Sequence, residues 1–212
     1  MFTGLIRHIG SLSSRQPRGG LARLCIEADP ELLSRADRGA SIAVMGVCLT
    51  AVTRSTHLFE ADLSQETLAK TTLGGLRPGT DLNLEPALLA GEPMGGHVVT
   101  GHVDGVGVLL ERTEGEGLWR FSFPSVLEPM LAPKGSVAVD GISLTIVDIN
   151  SQSLTVSLIP QTVSSTCLKN LAVGARVNLE ADPVGRYVSR FLALQKSTQK
   201  LDDFARNGWQ EN

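Results

Sequence analysis

Aromatic residues are scarce in this 212-residue chain, at 4% of the total with one tyrosine and two tryptophans. Charge of one sign is scarce as well: the formal net charge is −3, which gives no basic footprint for nucleic acid or an anionic membrane surface. The three cysteines, Cys25, Cys48 and Cys167, are too few and too far apart for a disulfide framework or a zinc site. No run of about 18 apolar residues appears, which argues against a membrane span. The opening Met1-Phe-Thr-Gly-Leu-Ile6 lacks the basic-then-apolar layout of a signal peptide. A soluble, cytoplasmic protein is expected. What the chain does have is 42% hydrophobic residues and 22 glycines, a composition suited to a packed core of short strands joined by tight turns.

The chain also contains itself twice. Ser41-Ile-Ala-Val-Met-Gly-Val-Cys-Leu-Thr50 returns 95 residues later as Ser136-Val-Ala-Val-Asp-Gly-Ile-Ser-Leu-Thr145. Thr3-Gly4 and Gly10 return as Thr100-Gly101 and Gly107 at a spacing of 97, and Asn83-Leu84-Glu85 returns as Asn178-Leu179-Glu180 at 95. A drift of two residues over half a chain means that the same loops recur, and hence the same topology. The breaker-rich segment Leu89–Gly96 separates the copies.

Within each copy the patterning is that of strands. Leu21–Glu27 places Ala22, Leu24 and Ile26 on one face, and Leu118–Phe123 alternates in the same way. Met45-Gly46 reads as a turn between Ser41–Val44 and Leu49–Val52, and Pro160 should stop the strand that begins at Leu154 or place it at an edge. A short helix is expected at Glu66–Leu73 and again at Thr162–Leu168, followed by final strands at Asp81–Glu85 and Arg176–Glu180. The fold class is all-β: two tandem six-stranded antiparallel Greek-key barrels. From about Gly185 to Arg206 an amphipathic helix has no partner in the first half. Its apolar stripe, with Tyr187, Val188, Phe191, Leu192 and Leu194, can be covered by a second copy of the chain or by its own barrel.

Candidate chemistry follows the repeat. A lone cysteine such as Cys48 is by default a small core residue. Its repeat-mate is Ser143, however, and a position that accepts thiol or hydroxyl points toward a ligand and, for the thiolate, toward nucleophilic or proton-accepting chemistry. His97 and His102, five apart, do not share a strand face, so a two-histidine metal site is disfavoured. Each would by default be a turn histidine, but His102 follows Thr100-Gly101, a site that both halves build. Lys134, Asp140, Asp182 and Ser41 have ordinary loop, turn and strand-start readings when taken one at a time.

Together, Met1–Ile6, Gly46-Val-Cys-Leu-Thr50, Glu66-Thr67-Leu68, Gly95-Gly-His97, Thr100-Gly-His102-Val-Asp-Gly105, Lys134–Thr145, Leu158-Ile-Pro160 and Tyr187-Val188 resemble the α-type riboflavin synthases across the whole chain. The resemblance implies a first lumazine-binding barrel over residues 1–97, a second over 98–186, and a C-terminal α-helix and tail over 187–212 through which three chains associate. It implies the dismutation of two 6,7-dimethyl-8-ribityllumazine molecules into riboflavin and a ribitylaminouracil, with no metal or organic cofactor. One lumazine would lie on the first barrel of one chain and the other on the second barrel of a neighbour, and lumazine synthase is raised as a further partner.

By the same resemblance, Cys48, Ser41 and His102 act as nucleophile or proton-transfer groups, while Lys134, Asp140, Ser143 and Asp182 hold the second lumazine or stabilise its anion. Substrate contacts are implied at Cys48, Leu49 and Thr50, along Asp62, Leu63, Ser64, Gln65, Glu66 and Thr67, and at Gly101, His102 and Val103, with Cys48, Ser41 and His102 around the lumazine of the first barrel. Further substrate contacts are implied at Ser143, Leu144 and Thr145 and along Ser157, Leu158, Ile159, Pro160, Gln161 and Thr162, as well as at Gly4, Leu5 and Ile6 near the start of the chain. Departures from the family pattern fall at Met45, at Ala69-Lys70 and at Gln161. Non-catalytic lumazine-binding proteins share this pattern of barrels and form the main alternative. A flavin oxidoreductase would need a nicotinamide-binding half where the second repeat lies.

Overall fold

The computed structural model describes residues 1–113 and 117–207, and for 196–207 the backbone alone. Twelve strands form two closed barrels. The first holds β1 (His8–Arg18), β2 (Leu21–Glu27), β3 (Ser41–Val44), β4 (Val47–Arg54), β5 (Leu58–Leu63) and β6 (Asp81–Pro86), in the spatial order β1-β2-β5-β4-β3-β6. The second holds β7 (Gly105–Arg112), β8 (Leu118–Ser122), β9 (Ser136–Val139), β10 (Ile142–Ile149), β11 (Ser153–Ser157) and β12 (Arg176–Ala181), in the same relative order. In each, three hairpin-linked strands are followed in space by an earlier strand that lies beside the third, a Greek key. All pairings are antiparallel. Even the irregularities repeat: register shifts at Leu12/Ser14 and Ala51/Thr53 return at Leu109/Glu111 and Ile146/Asp148.

Alternation decides which face is filled. On β4, Val47, Leu49 and Ala51 are buried while Cys48 is half-buried and Thr50 exposed; on β10, Ile142, Leu144 and Ile146 are buried while Ser143 is half-buried and Thr145 exposed. The inward set joins Leu24, Phe59 and Leu82 in one cluster, and Phe121, Val156 and Leu179 in the other. Packed side chains thus plug both barrels, and a ligand has to lie against the outer surface.

Among the described residues, four α-helices accompany the strands: α1 (Pro30–Ser34), α2 (Gln65–Lys70), α3 (Pro160–Ser164) and α4 (Pro183–Asn207). The sequence suggested one continuous helix at each of the two matched places. Instead each breaks, after α2 at Thr71 and after α3 at Thr166, before a 3-10 turn at Thr72–Gly75 or Cys167–Asn170. Both threonines are extended, and each side chain accepts the backbone N–H two residues on, restarting the chain as a new helical turn. Pro160 begins α3, where its missing N–H is tolerated, rather than lying at a strand edge. The tail is helical from Pro183, and residues 208–212 of the sequence-based tail lie outside the described residues. No helix among the described residues is long and apolar enough to cross a membrane.

The barrels meet through reciprocal contacts. Met45-Gly46 and Asp140-Gly141 are two-residue hairpin turns with every φ positive, between 46° and 81°. They lie back to back, so that a Cβ on Gly46 would fall 2.6 Å from Gly141 N. Asn83 Nδ2 donates to Asp140 O at 3.0 Å, and Asn178 Nδ2 to Met45 O at 2.8 Å. The two asparagine carbonyls accept Cys167 N–H and Thr72 N–H, both at 2.8 Å.

Candidate active site

The segment that leads into each repeat is fastened to the opposite barrel. Gly101 O accepts Cys48 N–H at 2.9 Å, and Gly4 O accepts Ser143 N–H at 2.8 Å. Behind Gly101, Val103 packs against the first barrel's core, and behind Gly4, Ile6 is part of the second barrel's core. Close approach requires glycine here: a Cβ on Gly101 would lie 2.5 Å from Cys48 Cβ, and one on Gly4 would lie 2.6 Å from Ser143 Cβ. The two leads also bridge each other, Phe2 N–H donating to Val99 O at 2.7 Å and Val99 N–H to Phe2 O at 3.1 Å.

Two buried glutamates hold these leads in place. Glu180 on β12 accepts Thr100 N–H at 2.7 Å, Thr100 Oγ1–H at 2.6 Å and Gly101 N–H at 2.9 Å. Glu85 on β6 accepts Thr3 N–H, Thr3 Oγ1–H and Gly4 N–H at 2.7, 2.8 and 3.0 Å. Burial pushes the Glu85 pKa up against the pull of those donors. Each lead is therefore gripped by its own repeat's last strand while its carbonyl completes the other repeat's reactive strand.

The residues singled out from the sequence separate into two outer-face groups. On the first barrel, Ser41 pairs across β3–β4 with Thr50, and Cys48 lies two residues from Thr50 on the same outward face. Gly101 closes this group from the second repeat and carries His102, which is exposed. Asp62 projects outward from β5, where Arg23 Nε and Nη2 clamp its two oxygens at 2.7 Å each and hold its carboxyl below the usual range. Ser64 caps α2 by accepting Thr67 N–H at 3.1 Å. That cap leaves Gln65 and Glu66 exposed and Thr67 half-buried.

On the second barrel, Ser143 and Thr145 form the matching outward pair, and Ser157 ends β11 beside exposed Ile159 and Pro160. An open cleft of about 720 Å³ is lined by Ser157–Pro160, Val163 and Trp119. Lys134 is exposed, with its N–H donating to Ile146 O at 2.8 Å and a left-handed φ of 67°. Asp182 accepts Val184 N–H at 2.9 Å at the start of α4.

Two residues are more deeply buried than the sequence suggested. Asp140 is only 2% exposed; its carboxylate accepts Asn178 N–H at 2.8 Å at the junction of the barrels, off the outward face that carries Ser143. Burial pushes its pKa up to about 7. His97, read as a turn histidine, is 9% exposed and has Nδ1 2.6 Å from Ser143 Oγ. Burial lowers its pKa against the opposing pull of Asp182 and Glu180. The paired glycines before it were the available signal. Cys167 belongs to neither group: burial raises its thiol pKa to about 12, which keeps it protonated.

Comparison with known proteins agrees with the duplication of the chain. A family described as the lumazine binding domain matches the chain twice, over residues 3–87 and 100–182. Riboflavin synthase of Actinobacillus pleuropneumoniae is 39% identical over 99% of this chain and 100% of its own length. Riboflavin synthase of Mycobacterium bovis is 43% identical over 91% of this chain and 98% of its own. Among solved structures, LumP complexed with riboflavin superimposes with a TM-score of 0.78 at 25% identity, covering 85% of this chain and 99% of that one.

Proposed function

The chain belongs to the riboflavin synthase family of paired lumazine-binding domains, and from that premise we propose how its two outer-face groups divide the reaction. The enzyme is a transferase that moves a four-carbon unit between two molecules of 6,7-dimethyl-8-ribityllumazine, giving riboflavin and 5-amino-6-(D-ribitylamino)uracil. The two products together hold every atom of the two substrates, so the problem is one of placement and proton movement. A proton leaves the acidic 7-methyl group of one lumazine, the resulting carbanion adds to the partner, and eliminations close the new ring.

One lumazine lies on the first barrel against Cys48–Thr50, with Gly101–Val103 on one side and Asp62–Thr67 on the other. The second lies on the second barrel against Ser143–Thr145, with Gly4–Ile6 and Ser157–Thr162 in the matching places. The observation that carries this reading is the crossed construction, in which Gly101 O seats Cys48 and Gly4 O seats Ser143. It builds two like sites that differ at the reactive position, thiol in one and hydroxyl in the other. Two copies of one substrate with opposite roles, donor and acceptor, call for that difference. Cys48, Ser41 and His102 supply the nucleophilic and proton-transfer groups, and Lys134 and Asp182 supply charge near the second lumazine. Asp140, buried at the junction, holds the turn from which β10 carries Ser143. Placing the two rings in register is worth as much as about 7–11 kcal/mol.

The two ligands meet between chains. Tyr187, Val188, Phe191 and Leu192 follow helical spacing on α4 and are 50–74% exposed, an apolar stripe suited to a homotrimer of this chain. A direct test mixes the purified protein with the lumazine and follows riboflavin absorbance. Steady formation of riboflavin supports the reading; tight lumazine binding without turnover marks a non-catalytic binding protein instead.

A further inference from the structure

We propose that Arg186 is a positioning residue of the first-barrel site: from the start of α4 it ties down the backbone carbonyl of His102 and the carboxylate of Asp104, so the helix that carries the apolar stripe also sets the place of the proton-transfer histidine. His102 has that role in the reaction assigned above, on which this inference rests. Nη2 of Arg186 donates to Asp104 Oδ1 at 2.9 Å, to Asp104 Oδ2 at 2.8 Å and to His102 O at 3.3 Å. Asp104 is also seated on the end of β12, its N–H donating to Leu179 O at 2.9 Å and its Oδ2 accepting Ala181 N–H at 2.9 Å. On the other side of His102, Glu180 holds Gly101, whose carbonyl seats Cys48. The His102 side chain is exposed, so its backbone decides where the imidazole stands.

The helix is itself fixed where it delivers the arginine. A Cβ on Gly185 would lie 2.2 Å from Met130 O, so only glycine lets the first turn of α4 press against the 3-10 turn at Ser125–Met130. Burial works against the guanidinium charge, and the hydrogen bond to Asp104 and the nearby Glu180 carboxylate outweigh it. Nε of Arg186 is buried and has no hydrogen-bond partner among the described residues. An arginine that leaves one buried N–H unpaired is held there for the contacts of another, because an orphaned donor is unfavourable. The tether is not duplicated with the repeat. Asp104 corresponds to Arg7 at the spacing of 97, and Arg186 to Gly91 at the spacing of 95, two residues that cannot form this bridge. His102 corresponds to Leu5. Histidine and tether thus occur together in one lead and are replaced together in the other.

The test uses the full chain and the lumazine substrate, with kcat and KM measured for Arg186→Met, Arg186→Lys, His102→Ala and the double variant of Arg186→Met with His102→Ala. Sedimentation and thermal unfolding are read on the same samples. Misplacement of one proton-transfer group predicts a fall in kcat of about tenfold for Arg186→Met, with KM little changed and the sedimentation of the unaltered protein retained. All three contacts leave from one nitrogen, so a lysine ammonium with its three donors can make them, and Arg186→Lys should recover most of the rate. In the His102→Ala background, Arg186→Met should cause no further loss. An active unaltered protein whose rate Arg186→Met or His102→Ala leaves unchanged overturns the inference. So does a loss that follows dissociation into monomers, so do equal losses for both Arg186 variants with lowered thermal stability, and so does an additive loss in the double variant. An unaltered protein that binds lumazine without forming riboflavin instead overturns the reaction reading, and this proposal with it.

Discussion

Asp140→Asn should stabilise the protein above neutral pH and destabilise it near pH 4, where the folded carboxyl is neutral and the unpaired amide is left uncompensated. The Asp140 carboxyl is buried in the turn between β9 and β10 and accepts a single hydrogen bond from Asn178 N–H at 2.8 Å. Burial raises its pKa from 3.8 to about 7. The unfolded chain releases this proton near pH 3.8 and the folded chain only near pH 7, so between those values the folded state binds more protons. Stability therefore falls as pH rises through that window and reaches its full loss above about pH 7. At 1.36 kcal/mol per unit, a shift of about three units amounts to about 4 kcal/mol at most. The twin turn shows that no charge is needed. Met45 occupies it with φ 49°, and its thioether sulfur accepts Asn83 N–H at 3.2 Å in the place of the carboxylate. Asparagine keeps the acceptor and tolerates the left-handed backbone, but its amide N–H₂ is left unpaired at about 1–3 kcal/mol. The expected net gain at pH 8 is about 2 kcal/mol, read from urea unfolding between pH 4 and 8.5. Parallel curves for the two proteins across the window would refute the reasoning, because Asp140 would then ionise in the fold as freely as in the unfolded chain.

Three further outcomes are expected. Cys48→Ser should lower turnover about 100-fold by weakening a nucleophile or proton acceptor, whereas Ser143→Ala should lower it only about tenfold; equal losses would remove the asymmetry between the barrels. Gly101→Ala places a Cβ 2.5 Å from Cys48 Cβ at a φ of 80°, so it should destabilise by at least roughly 1–2 kcal/mol from backbone strain alone and release the lead from β4. Thermal unfolding and thiol labelling of Cys48 would show this. Deleting residues 187–212 removes the apolar stripe of α4 and should give monomers of little activity by sedimentation and assay; a fully active monomer would contradict a site shared between chains.

The architecture was legible because the repeat carried it. Two copies of an alternating pattern, offset by 95 to 97 residues, can only be two copies of one topology, and the hairpin turns at Met45-Gly46 and Asp140-Gly141 stand where their glycines placed them. Breaks at Thr71 and Thr166 were hidden because helical periodicity does not show a threonine side chain recapturing the chain. The crossing of Thr3-Gly4 and Thr100-Gly101 was hidden for another reason. Hydropathy says that Ile6 and Val103 are buried, but not in which of two like barrels. Long-range contacts settled that, as they did for His97, whose neighbour Ser143 is 46 residues away. Asp140 looked like an ordinary turn aspartate because its burial comes from the other barrel's turn packed against it.

Each site is completed across the barrels, and residue-resolved amide hydrogen exchange in Glu85→Gln and Glu180→Gln tests this directly. Glutamine cannot accept at both oxygens, so each variant loses one charged acceptor of its lead, worth about 1.5–3 kcal/mol. Glu85 lies in the first barrel but holds the lead whose Gly4 O accepts Ser143 N–H in the second. Glu180 lies in the second but holds the lead whose Gly101 O accepts Cys48 N–H in the first. The expected result is a swap, with Glu85→Gln deprotecting Ser143 and sparing Cys48, and Glu180→Gln doing the reverse. Deprotection of each glutamate's own barrel, Cys48 with Glu85→Gln and Ser143 with Glu180→Gln, would contradict it.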